Sequence, residues 1–461
     1  MLHRSLLLLL GLTVVSAFAD DRPLADKPAD PYFAKYELLA APATKELLLK
    51  KGDRLAICGD SITEQKMYSR IMETYLTVCV PELEVTARQY GWSGERAGGF
   101  LARMKQDVLA FSPTIATTCY GMNDHQYKPY EDAIGATYRE KQTAIVEAFK
   151  AADVRVVLGS AGTVGKMPHW VKSARGTVED LNHSLSRLRT IGIEIANEQQ
   201  VAFADVFLPM LTTGLQARQK HGPEFAVEGK DGVHPGWAGQ AVMAYAFLKA
   251  LGLSGEIGTF TVDLGEKAAT ASSGHNVVGF DGNQLSLRST RYPFCTPDGD
   301  PAKDDSIRGG LSLVPFDAEL NRLHLVLKNA PAARYSVTWG EETKTFSAEE
   351  LAKGVNLAEA FRKNPFSEAF AKVDKAVDRK QAYETKQIKD IFHQLLAGRF
   401  KSADEIKDAE MKELFALRDG NGALDREAVI RATEEKRAKL TEAIKASFQP
   451  VDHTIRIAPA A

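Results

Sequence analysis

Short apolar runs alternate with amphipathic stretches along the first half of the chain. The runs are rich in β-branched and aromatic residues, and the stretches between them have helical spacing. The runs predict five strands, at Arg54–Cys58, Leu83–Gln89, Thr114–Cys119, Val154–Leu158 and Val201–Ala204. This alternation over residues 32–253 predicts an α/β domain with a parallel sheet and helices on both faces. Ligands of such open sheets bind outside the carboxyl ends of the strands.

The pattern changes after Leu253. Residues 254–356 contain short strand-like runs broken by Gly, Asn, Asp and Pro, so they predict a separate β-rich unit. Its predicted strands are Phe260–Leu264, Asn276–Phe280, Leu285–Leu287, Leu311–Pro315, Arg322–Leu327 and Tyr335–Trp339.

The C-terminal part of the chain is charged and helical. Residues 357–448 have this character, and the pattern is uninterrupted from Ser367 to about Leu396. Alternation at 452–458 then predicts a strand that returns to the β-rich unit. The charged helices suit a lid, a spacer or a partner surface, but solvated helices packed on one face are the favoured interpretation.

The first residues predict an export signal. His3 and Arg4 precede an apolar run from Leu6 to Val15, and Ala17-Phe18-Ala19 fits a signal-peptidase site, so residues 1–19 are expected to be removed. The alternative is a membrane anchor, but the run is shorter than the roughly 20 residues that span a bilayer. We therefore expect a secreted or periplasmic protein without a transmembrane segment.

Composition excludes several classes of function. The 58 basic and 60 acidic residues nearly balance, so nucleic acid is not an expected partner. Four cysteines are too few for a disulfide scaffold, and buried free thiols are favoured. The spacing of zinc ligands does not occur, and Asp419-Gly420-Asn421-Gly422 departs from a calcium loop and is interpreted as a turn. No metal or other cofactor is expected.

A serine follows the first predicted strand directly. Ser61, in Gly59-Asp60-Ser61, would therefore lie at the carboxyl end of the sheet and at a helix start, where helix-terminal N–H groups stabilise developing negative charge. The alternative is that Ser61 only caps the helix.

A serine nucleophile needs a base. Asp231-Gly232-Val233-His234-Pro235 places a carboxylate and an imidazole on one loop, where His234 could accept the serine proton and Asp231 could orient the ring. Taken alone, this segment is better explained as an ordinary turn before a helix.

Donors for an oxyanion are available after the next two predicted strands. Gly94, in Ser93-Gly94-Glu95, could present a backbone N–H, and the Asn123 side chain could be a second donor. Each segment alone has an interpretation as a simple turn. The order of the segments, each after its own strand, is difficult to explain by chance.

These segments resemble, in order, the four motif blocks of the SGNH (GDSL-type) hydrolases, over about residues 32–253. The resemblance implies a flavodoxin-like three-layer α/β/α fold and a triad of Ser61, Asp231 and His234. It also implies an oxyanion hole formed by the N–H groups of Ser61 and Gly94 and by the Asn123 amide.

Three further residues of the motif blocks concern the surroundings of this site. Asp60 and Asp124 are the sequence neighbours of Ser61 and Asn123, and they are expected to hold those residues in position without contacting the substrate. Gln65 departs from the glycine that many relatives have, and it is expected to narrow the entrance.

Weaker signals concern the substrate. Trp92, Tyr127, Trp170 and Trp237 lie in or beside predicted loops at the motif end of the sheet, where exposed rings could stack on sugars. The alternative is that Trp170 and Trp237 pack under their own loops. We therefore expect a secreted esterase that removes O-acetyl or other short acyl groups from carbohydrates, with a small-molecule or polysaccharide ester as its partner. The alternatives are a lysophospholipase or short-chain thioesterase, and a non-catalytic envelope protein that binds carbohydrate.

Overall fold

A computed structural model describes residues 22–172, 175–296 and 299–460. The predicted signal peptide lies outside these residues. Within them, no helix is both long and apolar enough to cross a bilayer. The four cysteines are buried free thiols, as the sequence predicted.

The first unit is a three-layer α/β/α domain. Its parallel strands are β1 (Arg54–Gly59), β2 (Thr86–Gln89), β3 (Ile115–Cys119), β4 (Arg155–Gly159) and β5 (Ala202–Ala204), in the order β2-β1-β3-β4-β5. Its helices are α1 (Ser61–Glu64), α2 (Tyr68–Cys79), α3 (Ala97–Asp107), α4 (Asp132–Ala151), α5 (Val178–Gln199), α6 (Phe207–His221) and α7 (Trp237–Ala250). Short 3₁₀ turns lie at Pro31–Lys35, Pro81–Leu83 and Leu109–Phe111. The strand order is that of flavodoxin-like sheets, so the predicted fold class is confirmed.

Both faces of this sheet are buried, which explains the continuous apolar character of its strands. Along β1, Leu55 and Ile57 belong to the core on one face. Ala56 and Cys58 belong to the core on the other face.

Two further sheets follow. Their strands are β6 (Glu256–Asp263), β7 (Ala268–Ala271), β8 (His275–Phe280), β9 (Gln284–Ser289), β10 (Arg322–Lys328), β11 (Arg334–Trp339), β12 (Glu342–Ser347), β13 (Val355–Asn356) and β14 (Val451–Pro459). The first sheet has the order β13-β10-β6-β7 and the second has the order β12-β11-β14-β9-β8. Short helices here are α8 (Ile307–Leu311), α9 (Phe316–Leu320), α10 (Ala348–Lys353) and α11 (Leu357–Ala360). The C-terminal β14 inserts between β9 and β11, so the end of the chain lies inside the second sheet.

One predicted strand is wrong. Leu311–Pro315 is not extended: α8 ends at Leu311, and Pro315 is the N-cap of α9. The reason is a close tertiary contact, because a Cβ at Gly310 would lie only 2.1 Å from the carbonyl oxygen of Ala238 on α7. The glycines that suggested a turn between strands instead let a helix approach another helix.

The helical segment lies along the edge of the first sheet. It comprises α12 (Ser367–Lys386), a π-helical continuation at Gln387–Leu395, a 3₁₀ turn at Ala403–Glu405, α13 (Ala409–Phe415) and α14 (Arg426–Ser447). The Asp419–Gly422 segment forms a turn in which Asp419 Oδ1 accepts the N–H groups of Asn421 and Ala423, at 2.8 and 2.9 Å.

Buried charges join this segment to edge strand β2. Lys380 Nζ donates to the Ala87 carbonyl at 2.7 Å, Arg437 donates to the same oxygen at 3.0 Å, and Glu384 accepts the Gln89 N–H at 3.0 Å. These side chains satisfy backbone groups that an edge strand would otherwise expose. The helices therefore pack on one face and expose their charged outward faces, in line with the favoured interpretation. The buried charges on the packed face were not expected from the sequence.

Candidate active site

Ser61 is the first residue of α1, directly after β1. The residue that caps the helix is Asp60, whose Oδ1 accepts the Ile62 N–H at 2.9 Å. The turn is tight, since a Cβ at Gly59 would lie 2.0 Å from Thr63 Oγ1. The Ser61 hydroxyl is thus not used as a cap and is free for another role.

That hydroxyl faces the imidazole of His234. Ser61 Oγ lies 2.7 Å from His234 Nε2, and His234 Nδ1 lies 2.7 Å from Asp231 Oδ2. Because a carboxylate only accepts hydrogen bonds, Nδ1 carries the proton and Nε2 accepts from the serine hydroxyl. The structure therefore brings the three predicted residues into one directed chain of hydrogen bonds.

Asp231 is itself held by its own loop. Its Oδ1 accepts the backbone N–H groups of Val233 and His234, at 2.9 and 2.8 Å. Burial opposes the charged form, but these bonds and His234 outweigh it and hold the pKa of the Asp231 carboxyl below its ordinary value. Asp231 is therefore a carboxylate at neutral pH.

Gly229 is a part of this loop that the sequence analysis missed. It has φ +84, and a Cβ there would lie 1.8 Å from the His234 carbonyl oxygen. The only sequence signal is a second glycine shortly before Gly232. A side chain at Gly229 would displace the backbone that carries His234.

Two backbone N–H groups in the predicted oxyanion loops are available to a ligand. Gly94 has φ +73 in a turn after β2, a conformation that glycine adopts without strain. The N–H groups of Ser61 and Gly94 donate to no acceptor among the residues that the structure describes. Both of these predicted donors are thus unused by the protein itself.

Asn123 is tied to the loop of Gly94. Its Nδ2 donates to the Glu95 carbonyl at 3.1 Å, and its Oδ1 accepts from the Tyr127 hydroxyl at 3.2 Å. These bonds fix the orientation of the amide and leave one N–H of Nδ2 for another acceptor. Asn123 thus holds two of the site loops together.

Asp60 and Asp124 lie beneath these loops. Asp124 accepts the N–H groups of Ala97 and Gly121, both at 3.0 Å, so it joins the loops that carry Gly94 and Asn123. Burial raises the pKa of Asp60 to about 7 and that of Asp124 to about 6. Both carboxyls hold backbone geometry.

A second buried support was not expected from the sequence. Arg103, on α3, donates to both oxygens of Glu95 at 2.6 and 2.7 Å, and Tyr120 donates to Glu95 Oε2 at 2.8 Å. An arginine inside a helical pattern gives no sign of this role, because its partner Glu95 lies in the loop before the helix, outside the helical spacing.

The four predicted substrate-contacting aromatics do not form one surface. The Trp170 ring lies 5.6 Å from the His234 ring and 5.9 Å from the Tyr127 ring. Trp92 instead packs against His393, with 4.7 Å between the ring centroids. The guanidinium of Arg70 lies 5.8 Å from the centroid of the Trp237 ring.

Gln65 contacts α7, and His169 contacts Trp170. Gln65 Oε1 accepts from Gln240 on α7 at 2.8 Å, so this side chain is turned toward that helix. His169 packs edge-on against Trp170.

A protein-family model matches the part of the chain that contains this geometry. Residues 57–242 match the model of the GDSL-like Lipase/Acylhydrolase family, which confirms the resemblance drawn from the four motifs and supports an ester hydrolase. No curated protein matches the chain.

Two solved structures are similar to the chain to different extents. BT4096, a gut microbial diltiazem-metabolizing enzyme, has a TM-score of 0.70 at 22% identity, and the match covers 91% of this chain and 100% of that one. Axe2, an acetylxylan esterase from Geobacillus stearothermophilus, has a TM-score of 0.37 at 21% identity and covers 45% of this chain and 97% of its own. Because the match to BT4096 covers 91% of this chain, the β-rich and helical parts belong to the fold that the two structures share.

Proposed function

We propose that this GDSL-like domain is a serine esterase that removes acetyl or other short acyl groups from carbohydrates through an acyl-enzyme. The observation that carries the proposal is the chain from Ser61 Oγ to His234 to Asp231, with two contacts of 2.7 Å. A serine, an imidazole and a carboxylate in this order are the parts of a nucleophile activated by a general base.

In the acylation half, the Ser61 oxygen attacks the ester carbonyl carbon as its proton moves to His234 Nε2. The tetrahedral adduct collapses when the bond to the leaving oxygen breaks and the imidazolium gives that oxygen its proton. The sugar alcohol leaves and the acyl group stays on Ser61. Asp231 stabilises the imidazolium while both bonds change.

In the deacylation half, water takes the place of the alcohol. His234 accepts a proton from the water, whose oxygen attacks the acyl carbonyl, and the proton then returns to Ser61 Oγ as the acid leaves. The same imidazole therefore serves both halves.

The carbonyl oxygen becomes an anion in each adduct. The N–H groups of Ser61 and Gly94 and the second N–H of Asn123 Nδ2 are the donors proposed to bind it. Each donor of this kind contributes about 3–4 kcal/mol of transition-state stabilisation. They are held in place before the reaction, so little reorganisation is required.

The aromatic rings beside His234 support a carbohydrate as the leaving alcohol. Trp170 and Tyr127 are partly exposed and meet edge to face at 5.9 Å, and the Trp170 ring lies 5.6 Å from the ring of His234, which protonates the leaving group. Aromatic faces provide apolar contacts for the C–H faces of sugar rings. A sugar bound there would present its oxygen to His234.

The first test compares the full chain with Ser61→Ala and His234→Ala on p-nitrophenyl acetate. We expect turnover by the native protein alone, with unchanged unfolding transitions in both variants. Equal rates in all three proteins would reject the esterase. If they were inert and still retained a polysaccharide, the non-catalytic binding protein would be the correct alternative.

The second test identifies the substrate class. Acetate release from acetylated polysaccharides is measured beside p-nitrophenyl esters of increasing acyl length. We expect acetate to be released and the rate to fall with acyl length. A preference for long chains would instead indicate a lysophospholipase or a thioesterase.

We also propose that the protein is exported and cut after Ala19. The support is the apolar run from Leu6 to Val15 followed by Ala17-Phe18-Ala19. N-terminal sequencing of the protein recovered from outside the cytoplasm should begin at Asp20. An intact Met1 in that fraction would reject the cleavage.

A further inference from the structure

The π-helical segment after α12 lies beside the loop that follows β2. This segment, Gln387–Leu395, has the wider hydrogen-bond spacing of a π helix, with the Leu396 N–H donating to the Ile391 carbonyl at 2.9 Å. Wider turns of this kind are frequent at functional sites. The segment belongs to the C-terminal half of the chain, for which the proposed mechanism has no role.

Lys389 contacts the nucleophile helix from this segment. Its Nζ lies 2.7 Å from Glu64 Oε1, and Glu64 is the last residue of the short helix that Ser61 begins. The pair is largely shielded, with side chains 26% and 19% exposed. A shielded ion pair depends more on both partners than a surface pair does.

The other oxygen of Glu64 holds the loop of Gly94. Glu64 Oε2 accepts both the backbone N–H and the hydroxyl of Ser93, each at 2.5 Å. Burial alone would raise the pKa of Glu64, but the bonds from Lys389 and Ser93 outweigh it and lower the pKa. One carboxylate therefore joins Lys389, the helix of Ser61 and the residue before Gly94.

A second side chain of the π-helical segment contacts the same loop. His393 Nε2 lies 2.7 Å from Asp107 on α3, and its ring packs against Trp92. Lys389 Nζ also lies 5.3 Å from the Trp92 ring centroid. The C-terminal half thus contacts Trp92 directly and Ser93 through Glu64.

We propose that Lys389 is a positioning residue for ester hydrolysis, acting through Glu64 to hold Ser93 and Gly94 where the Gly94 N–H meets the oxyanion. This inference rests on the proposed function. Lys389 does not contact the reacting atoms. It keeps the Glu64 carboxylate ionised and oriented toward Ser93, so that the loop of Ser93 and Gly94 is fixed before the substrate binds.

The experiment compares Lys389→Met with Lys389→Arg and with Lys386→Met. The last is a matched control, because Lys386 lies one turn earlier and bonds to Asp408 and Glu410 inside the helical segment. On p-nitrophenyl acetate, Lys389→Met should lower kcat about tenfold or more with little change in KM, as expected for an interaction made in the transition state. Lys389→Arg should restore most of the rate.

A second readout does not depend on turnover. Hydrogen exchange of the Ser93 amide, which Glu64 protects, should be faster in Lys389→Met than in Lys386→Met. Unchanged exchange in Lys389→Met would overturn the inference, even if the native protein were inert on every ester. Equal kcat in Lys389→Met and Lys386→Met, from an active native enzyme, would also overturn it.

The two possible failures can be told apart. A native rate equal to that of Ser61→Ala would reject the proposed function and would leave the exchange measurement to decide whether Lys389 holds the loop. Faster exchange together with a native kcat would show that this loop is structural and that Gly94 does not bind the oxyanion.

Discussion

Asp231 binds His234 twice, once through the backbone N–H at 2.8 Å and once through Nδ1 at 2.7 Å. The first bond shapes the loop, and the second selects the tautomer of the imidazole. The two bonds use different oxygens of the carboxylate, so a substitution can separate the two roles.

Asp231→Asn should keep the loop conformation but no longer favour the His234 tautomer that carries its proton on Nδ1. The amide oxygen can still accept the N–H groups of Val233 and His234, while the amide NH₂ facing Nδ1 would favour the proton on Nε2, where it cannot accept from Ser61. We expect kcat on p-nitrophenyl acetate to fall by about 10³ to 10⁴ with an unchanged unfolding midpoint. A rate within tenfold of native would remove Asp231 from the triad.

Asn123→Ala should affect the transition state more than binding. Removing one oxyanion donor lowers the turnover rate by about a hundredfold or more, with KM little changed. Tyr127→Phe is the matched control, because it removes only the hydroxyl that donates to Asn123 Oδ1. If the two variants had equal rates, Asn123 would act only by orienting its surroundings.

The parts of this site that the sequence predicted are local. Ser61 follows a strand directly, and Asp231 and His234 share one short loop, so each block carries its own signal. The order of the blocks along the chain then made them one site. Lys389 and Arg103 carry no such signal, because their partners are distant in sequence or on another element.

The same distinction separates the confirmed strands from the wrong one. The five strands of the first sheet have apolar runs that follow from burial on both faces. Leu311–Pro315 has a similar composition, but its conformation is set by the contact of Gly310 with α7. A tertiary contact of that kind leaves no periodic pattern in the sequence.

Lys380→Met should destabilise the chain. Lys380 is fully buried and bonds to Glu384 at 2.7 Å, to Glu73 at 3.0 Å and to the Ala87 carbonyl. Removing one partner of a buried ion pair costs about 3–5 kcal/mol, because the remaining charges stay buried. Urea denaturation should show a loss of this size in the free energy of unfolding.

The control for this prediction lies on the same helix. Lys372 pairs with Glu368 on the exposed face of α12, and their side chains are 65% and 85% exposed. Lys372→Met should change the free energy of unfolding by less than about 1 kcal/mol. Similar losses in the two variants would show that α12 does not depend on its buried charges.

The last prediction concerns two buried histidines between the β-rich sheets. The indole N–H of Trp339 donates to His453 Nδ1 at 3.2 Å, so His453 must be neutral and donate from Nε2 to Ser289 Oγ at 2.9 Å. The Ser289 hydroxyl then donates to His275 Nδ1 at 2.8 Å, and His275 Nε2 donates to the Ile257 carbonyl at 3.1 Å. A second proton on either imidazole would replace its acceptor nitrogen with a donor, so one hydrogen bond of the chain would be lost.

Acid should therefore destabilise the β-rich unit. Burial and the neighbouring His275 lower the pKa of His453 to about 3, and burial also lowers that of His275. The unfolded chain, with histidine pKa values near 6.5, binds more protons between about pH 6.5 and 3, so stability falls as pH falls through that range. His453 alone contributes a loss of about 3 kcal/mol between pH 7 and pH 4.

Urea titrations at these two pH values measure the difference in the free energy of unfolding. His453→Gln should make this difference smaller than in the native protein, whereas His169→Gln, in an exposed loop, should leave it unchanged. An unchanged difference in His453→Gln would show that His453 titrates alike in the folded and unfolded chain, which would contradict the neutral hydrogen-bond chain.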